Sequence, residues 1–575
     1  MHDLVIRNGS IADGTGNPIF KGDIAVDGDR IVLVGATAGP AREEIDATGM
    51  LVTPGFVDIH THYDAQAMWD PEMTPSSQHG VTSVVIGNCG VGFAPAAPER
   101  REQLITMMEQ VEDIPAKALS EGLNWSWETF PEYLDALDRV PHTVDIGTQV
   151  PHATVRNYVM AERGWEADAT DQEIAQMVEI VEEGLRAGAL GFSTNRSPFH
   201  QDEKGVPIPG TCASLKELMA FGEAMRRVGH GILEVSGNPV KLLDPVDWEW
   251  MREVSIKTGV PVSYELIQPQ DAREEWRELL AKTDEVNAAG GKLYAQAAVR
   301  SVAMLMNWQL SINPFFTRKS WCELAGKPWP EQLAMLKDPA FKRRLLADPI
   351  ERPTLDGGPI SDLMLFGWGG QYPVRDNPDY EPGPEDSIAG IARATGKDPA
   401  EVAYDWMMAD EGRGFIYIPL FNYAGGDLED VREMLAHPAT VVSLSDGGAH
   451  ASTVCDSSSP TFTLTHWARD RTKGSGPVPV ELAVRWQTMD TADLYGLGDR
   501  GRLQAGKLAD INVIDFENLR LTKPYVVHDL PGDCPRLMQK AEGYKATIKS
   551  GQITFRDGVA TGMRPGSVIR GPRPA

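Results

Sequence analysis

The sequence predicts an α/β fold in which a barrel of eight β/α units lies between β-rich segments at the two chain ends. Short apolar runs alternate with helical patterns such as Asp171–Ala187, which is the rhythm of β/α units. There are eight such runs, the number that a closed barrel requires. Both chain ends alternate apolar and polar residues, as half-buried strands do. The length of 575 residues leaves room for one large barrel with additions.

The chain ends are expected to form one β-rich domain from residues 1–53 and 491–575. Asp27-Gly28 lies between two apolar runs, and Ser550-Gly551 lies between two others, a pattern typical of hairpins. The predicted strands are residues 4–6, 23–26, 30–34, 509–514, 546–549 and 553–555. Residues 564–575 are rich in Pro, Gly and Arg and are expected to form a loosely held tail.

The barrel is expected to span residues 54–490. Its predicted strands are residues 55–59, 82–86, 143–148, 189–193, 231–235, 261–265, 292–296 and 440–444. The interval of about 300–438 is too long for a plain loop and is rich in Trp and Pro. We interpret it as a helical insertion that covers the barrel mouth, and a separate small domain is the alternative.

The composition and net charge of the chain indicate which classes of binding partner are disfavoured. The chain is 42% hydrophobic and 24% charged, and 54 basic against 82 acidic side chains give a net charge of −28. Nucleic acids and anionic membranes are therefore disfavoured, because binding them needs clustered Lys and Arg. Five cysteines without a CxxC pair, and no apolar leader or spanning stretch, favour a cytoplasmic protein acting on a small molecule.

The sharpest motif is Pro-Gly-Phe-Val-Asp-Ile-His-Thr-His at residues 54–62. His60 and His62 are two positions apart at the end of a predicted strand, so their side chains point to the same face. Two imidazoles so placed can hold one metal ion. A chance pair of histidines in a loop is the alternative.

Two further strands end in residues that can bind metal. Cys89 follows the run 82–86 beside two glycines, and a thiolate there could be a ligand, although a single cysteine is often an inert core residue. Asp446 follows the run 440–444. A carboxylate at that place can bind metal and accept a proton from water, whereas a turn-forming Asp-Gly is the alternative.

Five motifs in order carry a resemblance to a known family. They are residues 55–62, 87–90, 188–193, 445–447 and 497–503 with 506–510. Together they resemble the amidohydrolase superfamily, and most closely its D-aminoacylase (N-acyl-D-amino-acid deacylase) branch. The resemblance implies a distorted (β/α)8 TIM-like barrel with a composite β-sandwich domain built from both termini. It also implies hydrolysis of an amide bond, such as that of an N-acyl amino acid, with zinc.

The resemblance assigns roles to four residues. Cys89 matches a metal ligand that replaces the modified lysine used elsewhere in the superfamily. His60, His62 and Asp446 match the other ligands of one metal site. Asp446 also matches the proton shuttle, serving as general base and then as general acid.

The sequence departs from the branch after the fifth and sixth strands, where the branch has histidines for a second zinc. Glu234 and Glu265 lie there instead, and His230 precedes its strand, at the opposite end of the barrel. We expect one zinc ion, with Glu234 as a possible ligand and a second ion left open. A buried carboxylate bonded to Arg or Lys is the alternative for Glu234. The branch's substrate-holding lysine has no match at Ile267 or Gln268.

Other polar residues follow the strands on the side where substrates bind in barrels. Arg196 is expected to grip a substrate carboxylate or to pair with Glu234, and His200 is expected to polarise the scissile carbonyl. His152 and His450 are expected to contact the substrate. For each of these histidines, a hydrogen bond within a loop is the alternative.

The expected function is hydrolysis of an amide by water activated at the metal, in a homo-oligomer. A lactonase, carbamoylase or cyclic amidase would use the same metal and Asp446. A non-catalytic, metal-free barrel scaffold is a further alternative. A nucleic-acid deaminase is disfavoured, because the chain lacks a basic surface and the His-x-Glu with Pro-Cys-x-x-Cys signature.

Overall fold

A computed structural model describes residues 1–166, 168–202, 204–239, 241–350 and 358–573 of the chain. It contains a curled sheet of eight parallel strands, each of which overlaps a strand predicted from the sequence. The strands are β1 (Phe56–Asp58), β2 (Val81–Ile86), β3 (Asp145–Pro151), β4 (Gly191–Asn195), β5 (Ile232–Ser236), β6 (Val262–Glu265), β7 (Leu293–Ala297) and β8 (Thr440–Val442). The predicted TIM-like α/β fold is confirmed.

The sheet joins its two edge strands just beyond their carboxyl ends. Each strand pairs in parallel with the next one along the chain, from β1 to β8. Thr61, after β1, forms a parallel bridge with Gly447, after β8. The His62 amide donates a 2.7 Å hydrogen bond to the Gly447 carbonyl. The barrel therefore brings the His-x-His segment beside Asp446.

Helices connect the barrel strands, and local signals set their ends. Asp171–Ala187 begins after Thr170, whose side chain and that of Glu173 form a reciprocal capping box. No helix in the described ranges combines the length and the apolar content needed to cross a membrane. The helices outside the insertion are Arg101–Glu112, Ala116–Gly122, Phe130–Asp138, His152–Met160, Arg163–Glu166, Asp171–Ala187, Leu215–Val228, Pro245–Thr258, Glu275–Ala288, Ser459–Phe462, Val480–Trp486, Met489–Leu494 and the π-helix Thr463–Asp470.

Both chain ends contribute to one nine-stranded sheet, as predicted. Leu51–Pro54 pairs antiparallel with Ile511–Ile514, which joins the two ends of the chain at the centre of the sheet. Apolar side chains from both ends, including Ile6 and Ile548, pack in one buried cluster. The strands are His2–Ile11, Phe20–Asp27, Arg30–Val34, Ala41–Asp46, Leu51–Pro54, Ile511–Ile514, Tyr544–Lys549, Gln552–Arg556 and Val559–Ala560, and two small pairs are Arg520–Leu521 with Ala541–Glu542 and Tyr525–Leu530 with Cys534–Met538.

The insertion, expected to be helical, also contains a three-stranded antiparallel sheet. Its central strand, Ile416–Phe421, pairs with Val302–Met306 and Tyr372–Pro373. The sheet and helices enclose a separate core around Trp308 and Phe315. Residues 351–357 of the insertion lie outside the described residues. The helices are Lys319–Cys322, Trp329–Lys337, Pro339–Ala347, Gly358–Phe366, Ile388–Thr395, Pro399–Met407, Ala409–Gly412 and Glu429–Ala436.

The C-terminal tail packs against the barrel, contrary to the expectation of a loose segment. The Ser567 amide donates to the Asp145 carboxylate at 2.8 Å, and the Ile569 amide donates to the Ile146 carbonyl at 2.8 Å. Val568 and Ile569 are buried. The tail thus passes the amino end of β3 and continues to Arg573, whose amide donates to the Gly496 carbonyl at 2.8 Å. Residues 574–575 lie outside the described residues.

A buried ionic network fastens the β-domain to the amino end of the barrel. The Lys549 ammonium lies 2.9 Å from both Asp145 and Asp510, and Arg500 lies 2.6 Å from Asp145. Burial opposes the charge on Asp145, but Lys549 and Arg500 outweigh it and lower the pKa of Asp145 to about 2. Removing one cation would leave carboxylates buried without their partner, which is costly.

Lys549→Ala is expected to lower the free energy of unfolding by about 3–5 kcal/mol, because the buried Asp510 loses its cation at 2.9 Å and Asp145 is left with Arg500. Lys545→Ala, in the same strand, removes an exposed pair with Asp557 and should cost about 1 kcal/mol or less. Denaturant titration of both variants measures the difference. Because the folded-state pKa of Asp145 lies below its usual 3.8, its contribution is complete above about pH 5 and is lost progressively as pH falls toward about 2. Equal losses in the two variants would contradict this interpretation.

Candidate metal centre

His60 and His62 lie just beyond β1, at the carboxyl end of the barrel, and both are buried. Their ring centroids are 5.4 Å apart. The loop after β8 holds this segment, since the Asp446 amide donates to the His60 carbonyl at 3.2 Å. Gly448 is required at the contact, because a Cβ there would lie 2.9 Å from the His62 carbonyl group and φ is +93°.

Cys89 lies in the turn after β2 and faces both histidines. Its Sγ is 3.3 Å from His60 Nε2 and 3.9 Å from His62 Nε2. The turn is held by the Asn88 side chain, which donates to the carbonyls of Thr61 and Val85 at 3.0 Å each. Cys89 has a positive φ of 55°, a conformation that non-glycine residues adopt rarely and that often occurs at functional sites. The turn thus directs the thiol toward the imidazoles.

Three carboxylates complete the cluster. Asp446 Oδ1 is 3.6 Å from His60 Nε2. Glu265 Oε1 is 3.8 Å from the same nitrogen and 3.5 Å from Cys89 Sγ. Glu234 Oε1 is 3.9 Å from His60 Nδ1, while its other oxygen accepts the Cys89 amide at 3.0 Å. Glu234 therefore bonds to a backbone amide rather than to the Arg or Lys considered from the sequence.

The cluster concentrates acidic groups in a buried space. Burial raises the pKa of Glu265 to about 7. Burial, followed by the charge of Glu265, raises the pKa values of Cys89, Glu234 and Asp446 well above their usual range. In the described part of the chain, the basic side chains within 4.0 Å of these carboxylates are histidines. Burial lowers the pKa of His60 to about 4, so this imidazole is neutral, the form that binds metal.

The donor atoms fit a divalent zinc ion. Zinc binds thiolate, imidazole and carboxylate, and its bond lengths place the donors of a tetrahedral site about 3.3–3.8 Å apart. The donor separations observed around His60 Nε2 are 3.3 to 3.8 Å. Among the described residues, ligand atoms that lie within 4.8 Å of one another form two overlapping groups, which share His60 and Cys89. One group adds His62, and the other adds Glu234 and Glu265.

Three supporting residues were not singled out from the sequence. Gln296, in β7, has its carbonyl oxygen 3.3 Å from His60 Nδ1, and Ser236 donates to Glu265 at 3.2 Å. Both lie near strand ends, and that position was the signal that could have identified them. Glu112 ends the helix Arg101–Glu112 and lies 3.5 Å from His62 Nδ1. No motif marks Glu112, because only the tertiary fold brings that helix to the site.

His200 and His450 lie close to the cluster. The buried Nδ1 of His200 has no hydrogen-bond partner among the described residues. Burial, followed by the charges of His450 and His60, lowers the pKa of His200 to about 3. His450 Nε2 is 3.7 Å from Glu112, and the His450 side chain is 32% exposed. His450 therefore lies on the Glu112 side of the cluster, and His200 is near enough to His60 and His450 for their charges to affect its pKa.

Arg196 and His152 are placed differently from the expectation. Arg196 pairs with Asp247, at 2.6 Å, instead of Glu234, because the helix Pro245–Thr258 presents that carboxylate to the loop. The two ring nitrogens of His152 lie 2.8 Å from Thr194 and 2.8 Å from Glu217, and its side chain is wholly buried. Both ring nitrogens of His152 therefore have partners within the protein.

Comparison with known proteins gives a consistent result. A family model described as the amidohydrolase family matches residues 43–555. The chain is 28% identical to a D-aminoacylase and 27% identical to an N-acyl-D-aspartate deacylase, both of Alcaligenes xylosoxydans xylosoxydans. These alignments cover 99% of this chain and 97% and 95% of the relatives. The fold is similar to an N-acyl-D-glutamate deacylase of Bordetella bronchiseptica solved with zinc and a phosphonate inhibitor, with a TM-score of 0.64, 23% identity and 99% of both chains covered.

Proposed function

Because this chain belongs to the amidohydrolase family, we propose that it is a zinc-dependent deacylase of N-acyl-D-amino acids. The observation that carries the proposal is the convergence of His60, Cys89 and Asp446 at the carboxyl end of the barrel, where barrel enzymes place their active sites. The names of two full-length relatives, a D-aminoacylase and an N-acyl-D-aspartate deacylase, support the substrate class.

We assign zinc to the cluster, held by His60, His62, Cys89 and Asp446, with Glu265 and Glu234 as further candidate ligands. We propose a single zinc ion, because the two groups of donor atoms share His60 and Cys89 and therefore surround one position. Zinc bound there would lower the pKa of water toward about 7 and polarise the substrate carbonyl. The buried acidic groups supply the negative charge that balances a divalent cation.

Asp446 is the general base and then the general acid in this mechanism. Its carboxylate accepts the proton of the attacking water, and the new C–O bond forms at the acyl carbon. The same carboxyl group then donates the proton to the leaving nitrogen as the C–N bond breaks. Its place beside His60 Nε2, on a loop tied to β1, supports this role.

His200 and His450 are assigned to the substrate. The unpartnered Nδ1 of His200 is suited to hydrogen-bond the carbonyl oxygen as negative charge develops there. The partly exposed His450 is suited to contact the amino-acid portion. Arg196 is assigned to loop positioning, since Asp247 and the Ala213 carbonyl already bind its guanidinium at 2.6 and 3.2 Å. We do not assign it to a substrate carboxylate.

A paired substrate panel tests the proposal. N-acetyl-D-amino acids should be hydrolysed with a kcat/KM on the order of 100-fold above that of their L enantiomers. The L enantiomer places its polar groups differently, so polar groups of the site would be left without hydrogen-bond partners. Release of free amino acid by the zinc-loaded protein is the measurement. Preferential cleavage of lactones, N-carbamoyl amino acids or cyclic amides would replace this assignment by one of those activities. If the folded protein binds no zinc and cleaves none of these substrates, the result would favour the alternative of a non-catalytic scaffold.

A further inference from the structure

Glu112 is a buried carboxylate outside the donor groups of the metal centre. It ends the helix Arg101–Glu112 and is 2% exposed. Its Oε1 lies 3.5 Å from His62 Nδ1, and among the described residues neither atom has a hydrogen-bond partner. Its Oε2 lies 3.7 Å from His450 Nε2. Two unpaired buried polar atoms thus face each other just beyond hydrogen-bond distance.

We infer that Glu112 is the positioning residue of His62, accepting a hydrogen bond from its Nδ1–H. A histidine that binds metal through one ring nitrogen donates the other N–H to an acceptor, which fixes the tautomer and the ring orientation. The Nε2 of His62 faces Cys89 Sγ at 3.9 Å, so Nδ1 is the nitrogen that must carry the proton. Glu112 is the acceptor that faces Nδ1.

His60 shows the same arrangement with a different acceptor. Its Nδ1 lies 3.3 Å from Gln296 Oε1. The Gln296 amide donates to Ser263 Oγ at 2.6 Å, which orients the carbonyl oxygen toward the ring. The two imidazoles are therefore oriented by different groups, a neutral amide for His60 and a carboxylate for His62. The Glu112 carboxylate places negative charge behind His62, and such charge makes an imidazole a stronger base.

Glu112 also contacts the loop that carries Asp446. Its backbone carbonyl accepts the His450 amide, so its carbonyl and carboxylate contact the same residue. The Glu112 carboxylate faces the Nδ1 side of the His62 ring, whereas the Nε2 side of that ring faces Cys89 Sγ. This placement favours a residue that orients a ligand over one that binds the ion.

The inference rests on the proposed zinc site and is tested by zinc affinity instead of activity alone. Glu112→Gln keeps a weaker acceptor and should raise the zinc Kd about 10-fold, whereas Glu112→Ala removes the acceptor and should raise it toward about 100-fold. Competition with a chromophoric chelator measures Kd, and the absorption of the cobalt-substituted protein reports ligand geometry. Glu102→Gln, exposed on the same helix, is the matched control and should retain the wild-type Kd.

Thermal unfolding separates positioning from a structural role. In metal-free protein, Glu112→Gln removes a buried unpaired carboxylate, so its Tm should equal or exceed that of the wild type. The rise in Tm on adding zinc should be smaller than in the wild type, because that rise follows affinity. Wild-type Kd values in both Glu112 variants would overturn the inference and leave the proposed function intact. A wild-type protein that binds no zinc would overturn the proposed function itself.

Discussion

Asp446→Asn should lower kcat by about 10²–10⁴-fold and leave KM within about threefold of the wild-type value. This range is the usual contribution of a general acid–base group. Asparagine has nearly the same size and tolerates the left-handed backbone at this position, where φ is +48°. It cannot accept the proton of the attacking water. An equal loss in kcat and kcat/KM is expected of a group that acts in the transition state.

The control for this variant is Asp557→Asn, an exposed aspartate that also has a φ of +48°. It should retain wild-type kcat, zinc content and Tm. Zinc content is measured on the same Asp446→Asn sample, because Asp446 Oδ1 also lies 3.6 Å from His60 Nε2. Retained zinc with lost turnover identifies a proton acceptor. A zinc-loaded Asp446→Asn enzyme with near-normal kcat would remove Asp446 from the mechanism.

Removing the metal should abolish turnover and destabilise the fold. Dialysis against a chelator should reduce hydrolysis to background. Added zinc should restore hydrolysis, because zinc would lower the pKa of the attacking water to about 7. Zinc at about 100 times its Kd should add about 2.7 kcal/mol to the free energy of unfolding. The physical reason is the acidic cluster, in which burial, followed by the charge of Glu265, raises the pKa values of Cys89, Glu234 and Asp446, and a bound cation would offset both effects.

His60→Ala provides the genetic counterpart of metal removal. His60 lies within 4.0 Å of Cys89, Glu265 and Asp446, so its loss should eliminate both zinc binding and turnover. His230→Ala, which changes a histidine before β5 at the opposite end of the barrel, should retain both. Atomic emission on gel-filtered protein measures the bound zinc. Full zinc occupancy in the His60 variant would contradict the ligand assignment.

The barrel could be predicted from the sequence because its strands are buried on both sides. Such strands are short, nearly continuous apolar runs, which contrast with the longer helical patterns between them. The metal-binding candidates followed from the same positions, since His60, Cys89 and Asp446 each come within three residues of the end of one of those runs. The ends of the strands can be located from the sequence, and in a barrel the same ends lie together around the site.

The errors arose where tertiary contacts override local pattern. Glu112 is on a helix without a motif, and only the fold brings it to His62. The tail looked loose by composition, yet Val568 and Ile569 are buried against the barrel. Arg196 was expected to bind a substrate carboxylate or to pair with Glu234, because the sequence does not reveal that Asp247 on a later helix reaches the same loop. Each error concerns a partner far away in the chain.

The pairing of Leu51–Pro54 with Ile511–Ile514 bears on how the protein is made. The partner strand is about 460 residues further along, and a ribosome adds about 5–20 residues per second, so it emerges about 20–90 s later. During that time the nascent chain exposes an unpaired strand edge, a surface that promotes aggregation. A truncated protein that ends before residue 511 would lack the partner strand, and the edge of Leu51–Pro54 would remain unpaired. The candidate metal-site residues, from His60 to Asp446, all precede the partner strand, so they are synthesised before this edge can be closed.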